Sequence, residues 1–170
     1  VALLPTILIA VFATITVNLG LEGWFSDRVR SALGHSVEAA YAYEEEHRED
    51  LAADAEALAQ FLDINRRATP FLADGDLRQL LSQGQQAIQR GLREAFVIDG
   101  VGEIQARGER SYLFDFEQPS EEDLARAAAG ETVLIEDRDV NEFRALIRLD
   151  AFADRYLYVS REVDGQIIAL

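Results

Sequence analysis

The sequence predicts an α+β fold: an N-terminal membrane-spanning helix running into a long helix, followed by a domain with an antiparallel β-sheet and flanking helices. Three observations carry this. Residues 1–21 are an apolar run without one charged side chain. The stretch that follows keeps apolar residues three or four apart for some forty positions, and after Gly91 the hydrophobic period changes from about 3.5 to 2. Helices collected at the front and strands behind them indicate an α+β domain rather than alternating β-α-β units.

The opening run reads VALLPTILIAVFATITVNLGL, in which Thr6, Thr14, Thr16 and Asn18 are the only polar side chains. An uncharged stretch longer than about 18 residues is the signal for a helix that crosses the roughly 30 Å hydrocarbon core. Residues 1–21 are therefore expected to lie in membrane lipid. A buried core helix is the plain alternative. A cleaved signal peptide fits less well, because the run has no basic n-region and ends in Asn18-Leu19-Gly20-Leu21 rather than at an A-x-A-like site. Trp24 and Phe25 suit the headgroup zone, whereas the mixed flank of Glu22, Asp27, Arg28 and Arg30 leaves orientation open.

Residues 22–72 form the second expected segment, a long helix and its break. Phe25, Val29, Leu33, Val37 and Ala40, then Leu51, Ala55, Leu58 and Leu62, make one stripe. The stripe is interrupted at Glu44 and His47, inside the charged run 44–50. A helix this long cannot bury its whole stripe on a small domain, so a parallel homodimer through the helix is expected; the alternative is packing of its C-terminal half on its own domain. Glu44 and Arg48 are spaced for an i,i+4 ion pair. Thr69-Pro70 ends the helix.

The third segment spans 73–170. Asp74-Gly75-Asp76 offers caps for a helix from Leu77 to Ile88, with Leu77, Leu80, Leu81, Gly84, Ala87 and Ile88 inward and Gly91 as its stop. A strand follows over Leu92–Ile98. Asp99-Gly100 with Gly102 is a tight-turn signal, and further strands are expected at 103–106 and around 112–116. Ser120-Glu121-Glu122-Asp123 resembles a capping box and opens a short helix, 121–129, closed by Gly130. A meander of three strands, 132–136, 143–149 and 155–161, completes the domain.

The net charge of −15, with all 16 basic residues Arg and no Lys, argues against nucleic acid as a partner, since phosphate binding needs clustered cations. The absence of Cys excludes a disulfide scaffold and thiol catalysis. No nucleophile–base set, nucleotide loop or catalytic carboxylate pair stands out, so no catalytic residue and no cofactor are expected. Gly100-Val101-Gly102 lacks the third Gly of a phosphate cradle. Glu44-x-x-His47 would ligate a metal only with a dimer mate, so a solvated helix face is preferred to a metal site.

The candidate binding residues lie on the last two strands. Arg144 and Arg148 alternate to one face of their strand, and Tyr156 and Tyr158 share a face of the next. Arginine forks suit carboxylates and tyrosines supply a rigid wall with a hydroxyl, so this face is a candidate site for a small anionic ligand. The competing expectation is that these arginines pair with nearby carboxylates.

The stretches TVNLGLEGWFSDRVRSALGHSVEAAYAYEEEHREDLAADA and AAAGETVLIEDRDVNEFRALIRLDAFADRYLYVSREVD resemble the first span, following helix and sensor-domain end of NtrY-type nitrogen-regulation sensor histidine kinases. The span, the long helix and the sheet with a short helix midway are likewise similar to an extracytoplasmic PAS-like (PDC or Cache-type) sensor. The resemblance implies a dimeric two-component kinase of the bacterial inner membrane, with segment 73–170 as its periplasmic sensor domain and a cognate response regulator as partner. It implies that kinase activity resides in a cytoplasmic core beyond these residues. Neither His35 nor His47 has the His-Glu-x-x-x-Pro-like setting of a phospho-accepting histidine. A membrane-anchored protein-interaction domain, or the sensor of a chemoreceptor or cyclase, are the alternatives.

Overall fold

The computed structural model of the chain describes residues 3–88, 91–113, 115–137 and 141–163, with only the helical backbone described for 3–10 and 13–36. The fold is α+β. Helix α1 spans Leu3–Ala68 and α2 spans Asp74–Ala87. Strands β1 (Glu94–Ile98) and β2 (Ile104–Arg107) precede a 3-10 turn at Glu109–Leu113 and helix α3 (Glu121–Ala128). Strands β3 (Val133–Asp137), β4 (Glu142–Arg148) and β5 (Tyr156–Glu162) close the chain order. The molecule divides into two compact units, one made of α1 up to Tyr43 and one beginning at Glu44.

Among the described residues no helix is long and apolar enough to cross a membrane. The expected span at 1–21 lies, apart from its backbone and the exposed Val11 and Phe12, outside them. The same holds for Phe25, Val29 and Leu33 of the stripe. Downstream the stripe is plain: Leu51, Ala55, Leu58 and Leu62 are buried in the second unit, while Val37 is half exposed. The helix runs six residues past Leu62. Asn65 holds its last turn by donating to the Phe61 carbonyl at 2.8 Å, and Pro70 forbids more.

The five strands form one antiparallel sheet in the order β2-β1-β5-β4-β3. One face meets the C-terminal part of α1 and α2 with Ala95, Val97, Ala145, Leu157 and Val159, all buried. Gly84 of α2 lies close under this packing: a Cβ there would stand 2.2 Å from the end of the Leu58 side chain, which would have to shift. The other face carries the cluster of Phe96, Ile98, Val133, Leu146, Tyr156 and Tyr158, covered by Leu124 and Ala127 of α3 and by Phe116. Both faces being covered, β1 is buried at all five positions rather than at alternate ones.

Three expectations are corrected locally. The segment around Tyr112 is a 3-10 turn and not a strand. Ser111 explains it: its buried hydroxyl accepts from the Ala95 N–H at 2.7 Å and donates to the Ala95 carbonyl at 3.0 Å, so one side chain does what another strand would do. On α2 the buried set is Leu77, Leu81, Gly84 and Gln85, with Ala87 outside, because the Gln85 amide serves the Leu92 carbonyl. That helix begins behind Ala73, whose N–H reaches the Asp76 carboxylate, rather than at Leu77.

Helix α3 matches its sequence signal. Ser120 caps it by accepting from the Asp123 N–H at 3.1 Å, and Asp123 takes the Ser120 hydroxyl at 2.6 Å. The Asp99 turn forms as expected, with its carboxylate accepting from the Val101 and Glu103 N–H groups and Gly102 at φ 84°.

Candidate functional site

Antiparallel register decides what the last strands present together. Arg144 faces Ser160, Leu146 faces Tyr158 and Arg148 faces Tyr156, so all four sequence-selected residues share one face of the sheet. That face is not open. Tyr156 and Tyr158 lie in the apolar cluster, where the Tyr158 ring packs 6.1 Å from Phe116 and 6.5 Å from Phe96. Burial pushes the Tyr158 phenol up to about 12, against the nearby Arg144 charge that favours ionisation, so the hydroxyl stays protonated.

Four residues at about 3.4 Å each separate Arg144 from Arg148 by roughly 13 Å along β4, and the two turn to different partners. Arg148 is about half exposed; it pairs with Asp150 at 3.2 Å and donates to the Ala128 carbonyl at 2.8 Å. Arg144 is enclosed, with 9% of its side chain exposed. Its Nη2 donates to Glu117 Oε2 at 2.6 Å and lies 3.6 Å from both Asp137 Oδ2 and Glu142 Oε2. Burial alone would lower the pKa of this guanidinium; the hydrogen bond it donates to Glu117 and the surrounding charges outweigh burial and raise the pKa. Arg144 is therefore permanently cationic.

The competing expectation, that these arginines pair with nearby carboxylates, is what the structure shows; which carboxylates they choose was not read from the sequence. Glu142, 5% exposed, stands beside Arg144 and 3.8 Å from Arg93, which also approaches Glu162 at 3.7 Å. Glu94 of β1 is buried on the same face and accepts the Ser160 hydroxyl at 2.9 Å. Its pKa is raised, first by burial and then by Glu142, with the Ser160 bond opposing. Glu94 Oε1, Glu142 Oε1 and Arg144 Nε have no hydrogen-bond partner among the described residues. The signal was present in part: Glu94 alternates with Phe96 and Ile98, an inward-facing position for a carboxylate. Glu117 lies in irregular chain, and nothing local ties it to a residue 27 positions on.

Beside Tyr156 a cavity of about 420 Å³ opens between α3 and the β1–β2 turn, walled by Leu124, Ala128, Gln118 and Val101. Elsewhere, Glu44 and His47 are half-buried on α1, and Arg48 lies 3.6 Å from Glu45. Among the described residues no group of three acidic, His or Cys side chains is placed to hold a metal ion.

A separate set of polar contacts joins the sheet to α1 within the second unit. Asp63 accepts from the backbone N–H groups of Asp150 and Ala151 at 3.1 and 3.0 Å. Arg161 of β5 donates to Asp54 at 2.5 Å and to the Gly91 carbonyl at 3.2 Å. Thr132 donates to Glu56 at 2.9 Å.

Comparison with known proteins places these features. The family model described as NtrY N-terminal region matches residues 1–170. The chain is 30% identical over 169 residues to the nitrogen regulation protein NtrY of Azorhizobium caulinodans, covering 99% of this chain and 21% of that protein. It is also 30% identical over 174 residues to the NtrY-like sensor histidine kinases of Rickettsia felis and Rickettsia conorii, covering 99% of this chain and 28% of each. The chain thus spans between a fifth and a third of the length of these relatives.

Proposed function

The chain belongs to the NtrY N-terminal region family, and on that premise we propose that it is the extracytoplasmic sensor region of a two-component histidine kinase of the nitrogen-regulation type. Its relatives are NtrY-type sensor histidine kinases. Residues 1–21 anchor it in the bacterial inner membrane, and segment 73–170 lies in the periplasm as a PAS-like domain. The kinase core and its contact with a response regulator reside outside these 170 residues. The exposed Val37 and Tyr41 of α1 favour a homodimer through the long helix.

The observation that carries the signalling part is the set of ties from sheet to α1. Asp63 holds the β4–β5 turn by two charge-assisted bonds, and Arg161 holds β5 to Asp54. Hydrogen bonds to a charged group contribute about 1.5–3 kcal/mol each. A switch needs only a few kcal/mol of bias between two states. A displacement of β4 and β5 is therefore transmitted to α1 before these bonds break.

The cue we assign to the Arg144, Arg148, Tyr156 and Tyr158 face is a small anionic ligand. The Arg144 fork supports this choice, since it already binds a carboxylate, that of Glu117. Tyr156 of the same face lines the cavity, and Arg148 donates to the carbonyl of Ala128, another of its lining residues.

The test is the full-length parent kinase in nanodiscs, assayed for autophosphorylation with Asp63→Ala and Arg161→Gln. Both are expected to fold and to reset the phosphorylation level several-fold. Wild-type levels in both variants would overturn the transmission route. Alkaline phosphatase fused in the 150–154 turn should be active in cells; an inactive fusion would overturn the periplasmic placement.

A further inference from the structure

We infer that Glu117 is a built-in occupant of the Arg144 fork, and that a small carboxylate ligand acts by exchanging with it and releasing the 115–119 strap. This rests on the anion-binding role proposed for that face and adds how the face is emptied. Three carboxylates contact Arg144, and they are not equivalent. Asp137 and Glu142 belong to the paired strands β3 and β4, where they stand opposite each other in register. Their backbones are fixed by strand pairing. Glu117 alone comes from outside the sheet, makes the closest contact at 2.6 Å, and leaves 62% of its side chain exposed while its partner arginine is 9% exposed. It is the replaceable ligand.

Charge counting favours exchange over addition. Among the described residues one guanidinium already faces Glu117, Asp137 and Glu142, with Glu94 on the same face and Arg93 as a second cation beside Glu142. An added anion would raise the repulsion in a buried setting, where charges are weakly screened. A carboxylate that replaces Glu117 leaves the count at Arg144 unchanged and frees Glu117 to water. A tethered competitor acts at an effective concentration on the order of millimolar, which screens out weak anions and sets the selectivity of the site.

The strap is wired to report the exchange. Phe116, next to Glu117, packs edge-on against Phe96 at 5.0 Å and against Tyr158 at 6.1 Å. Gln118 donates to the Val101 carbonyl at 2.6 Å, and Ser120 caps α3. Moving Glu117 therefore disturbs the aromatic cluster on β1 and β5, the strands tied to α1 through Arg161.

The experiment uses the 170-residue chain with acetate and succinate as probes and chloride at equal ionic strength as control. Binding is followed by calorimetry and by the thermal midpoint. Glu117→Ala should lower the midpoint, acetate or succinate should restore it where chloride does not, and the probe affinity should be at least tenfold tighter than in the wild type. Glu117→Ala combined with Arg144→Lys, which keeps the charge but loses the fork, should abolish rescue. Equal probe affinity in wild type and Glu117→Ala, lost in Arg144→Lys, would overturn the exchange and leave the anion site standing. No probe effect on any variant would overturn both.

Discussion

The two faces of the sheet are equally buried and built on opposite principles. The face toward α1 and α2 presents apolar strand residues, and the charged groups Asp54, Asp63 and Arg161 sit at its margins, each with hydrogen-bond partners of its own. The opposite face has an apolar centre of Phe96, Leu146 and Tyr158 and, in the next register row, the enclosed Glu94, Ser160 and Arg144, with Glu142 one row beyond. Dry packing of the first kind gives stability without alternatives. An excess of carboxylates around one guanidinium, at unequal distances, leaves alternative partners at hand, which is what a site that exchanges partners needs. On the function proposed above, the first face holds and the second responds.

The sharpest way to break that contrast is to remove the guanidinium. Arg144→Ala leaves Glu142 and Glu94 buried beside each other without their main counter-charge, and loss of one member of a buried pair costs about 3–5 kcal/mol. Urea unfolding should show this as a lower midpoint with an unchanged slope. A cost below about 1 kcal/mol would mean that the cluster is wet, and the distinction between faces would fall. On the other face Leu62→Ala removes a fully buried side chain from the α1 stripe and should cost about 3 kcal/mol through lost burial and the residual cavity. The two variants should also differ in kind. Only the Arg144 cost should shift with pH in the range where carboxylates titrate, since protonating the buried Glu94, whose pKa is raised, relieves it.

How much of this was legible in the sequence follows from the range of the interactions. The stripe Leu51, Ala55, Leu58 and Leu62, the Asp99 turn, the Ser120 cap and the meander are specified by spacings of two to four residues, and they appear where the sequence puts them. The shared face of Arg144, Arg148, Tyr156 and Tyr158 was legible for the same reason, because alternation fixes the face. What closed that face was not. Glu117 and Phe116 reach it from irregular chain, and the division of labour between Arg144 and Arg148 depends on which loops end nearby. Ser111 misled the strand pattern through a contact 16 positions away. Local periodicity carries no record of such contacts.

The smallest expected effect tests the charged face from the side of its acids. Glu94 has its folded-state pKa raised above the ordinary carboxyl value, chiefly by burial. The folded protein therefore prefers the protonated acid, and the sign follows. Below the unfolded pKa, near 4.3, both states are protonated and the preference is without cost. As pH rises from there through the raised folded value, the unfolded chain ionises more readily and stability falls by a fixed amount that persists above it. Glu94→Gln keeps the shape and the acceptor for the Ser160 hydroxyl and removes the proton. It should match the wild type near pH 4 and exceed it modestly at pH 7, read as the difference in thermal midpoint across that range. A variant less stable at pH 7 than at pH 4, relative to wild type, would show instead that Arg144 and Arg93 hold Glu94 as a stabilised anion, and the face would have one fewer carboxylate in excess than its burial implies.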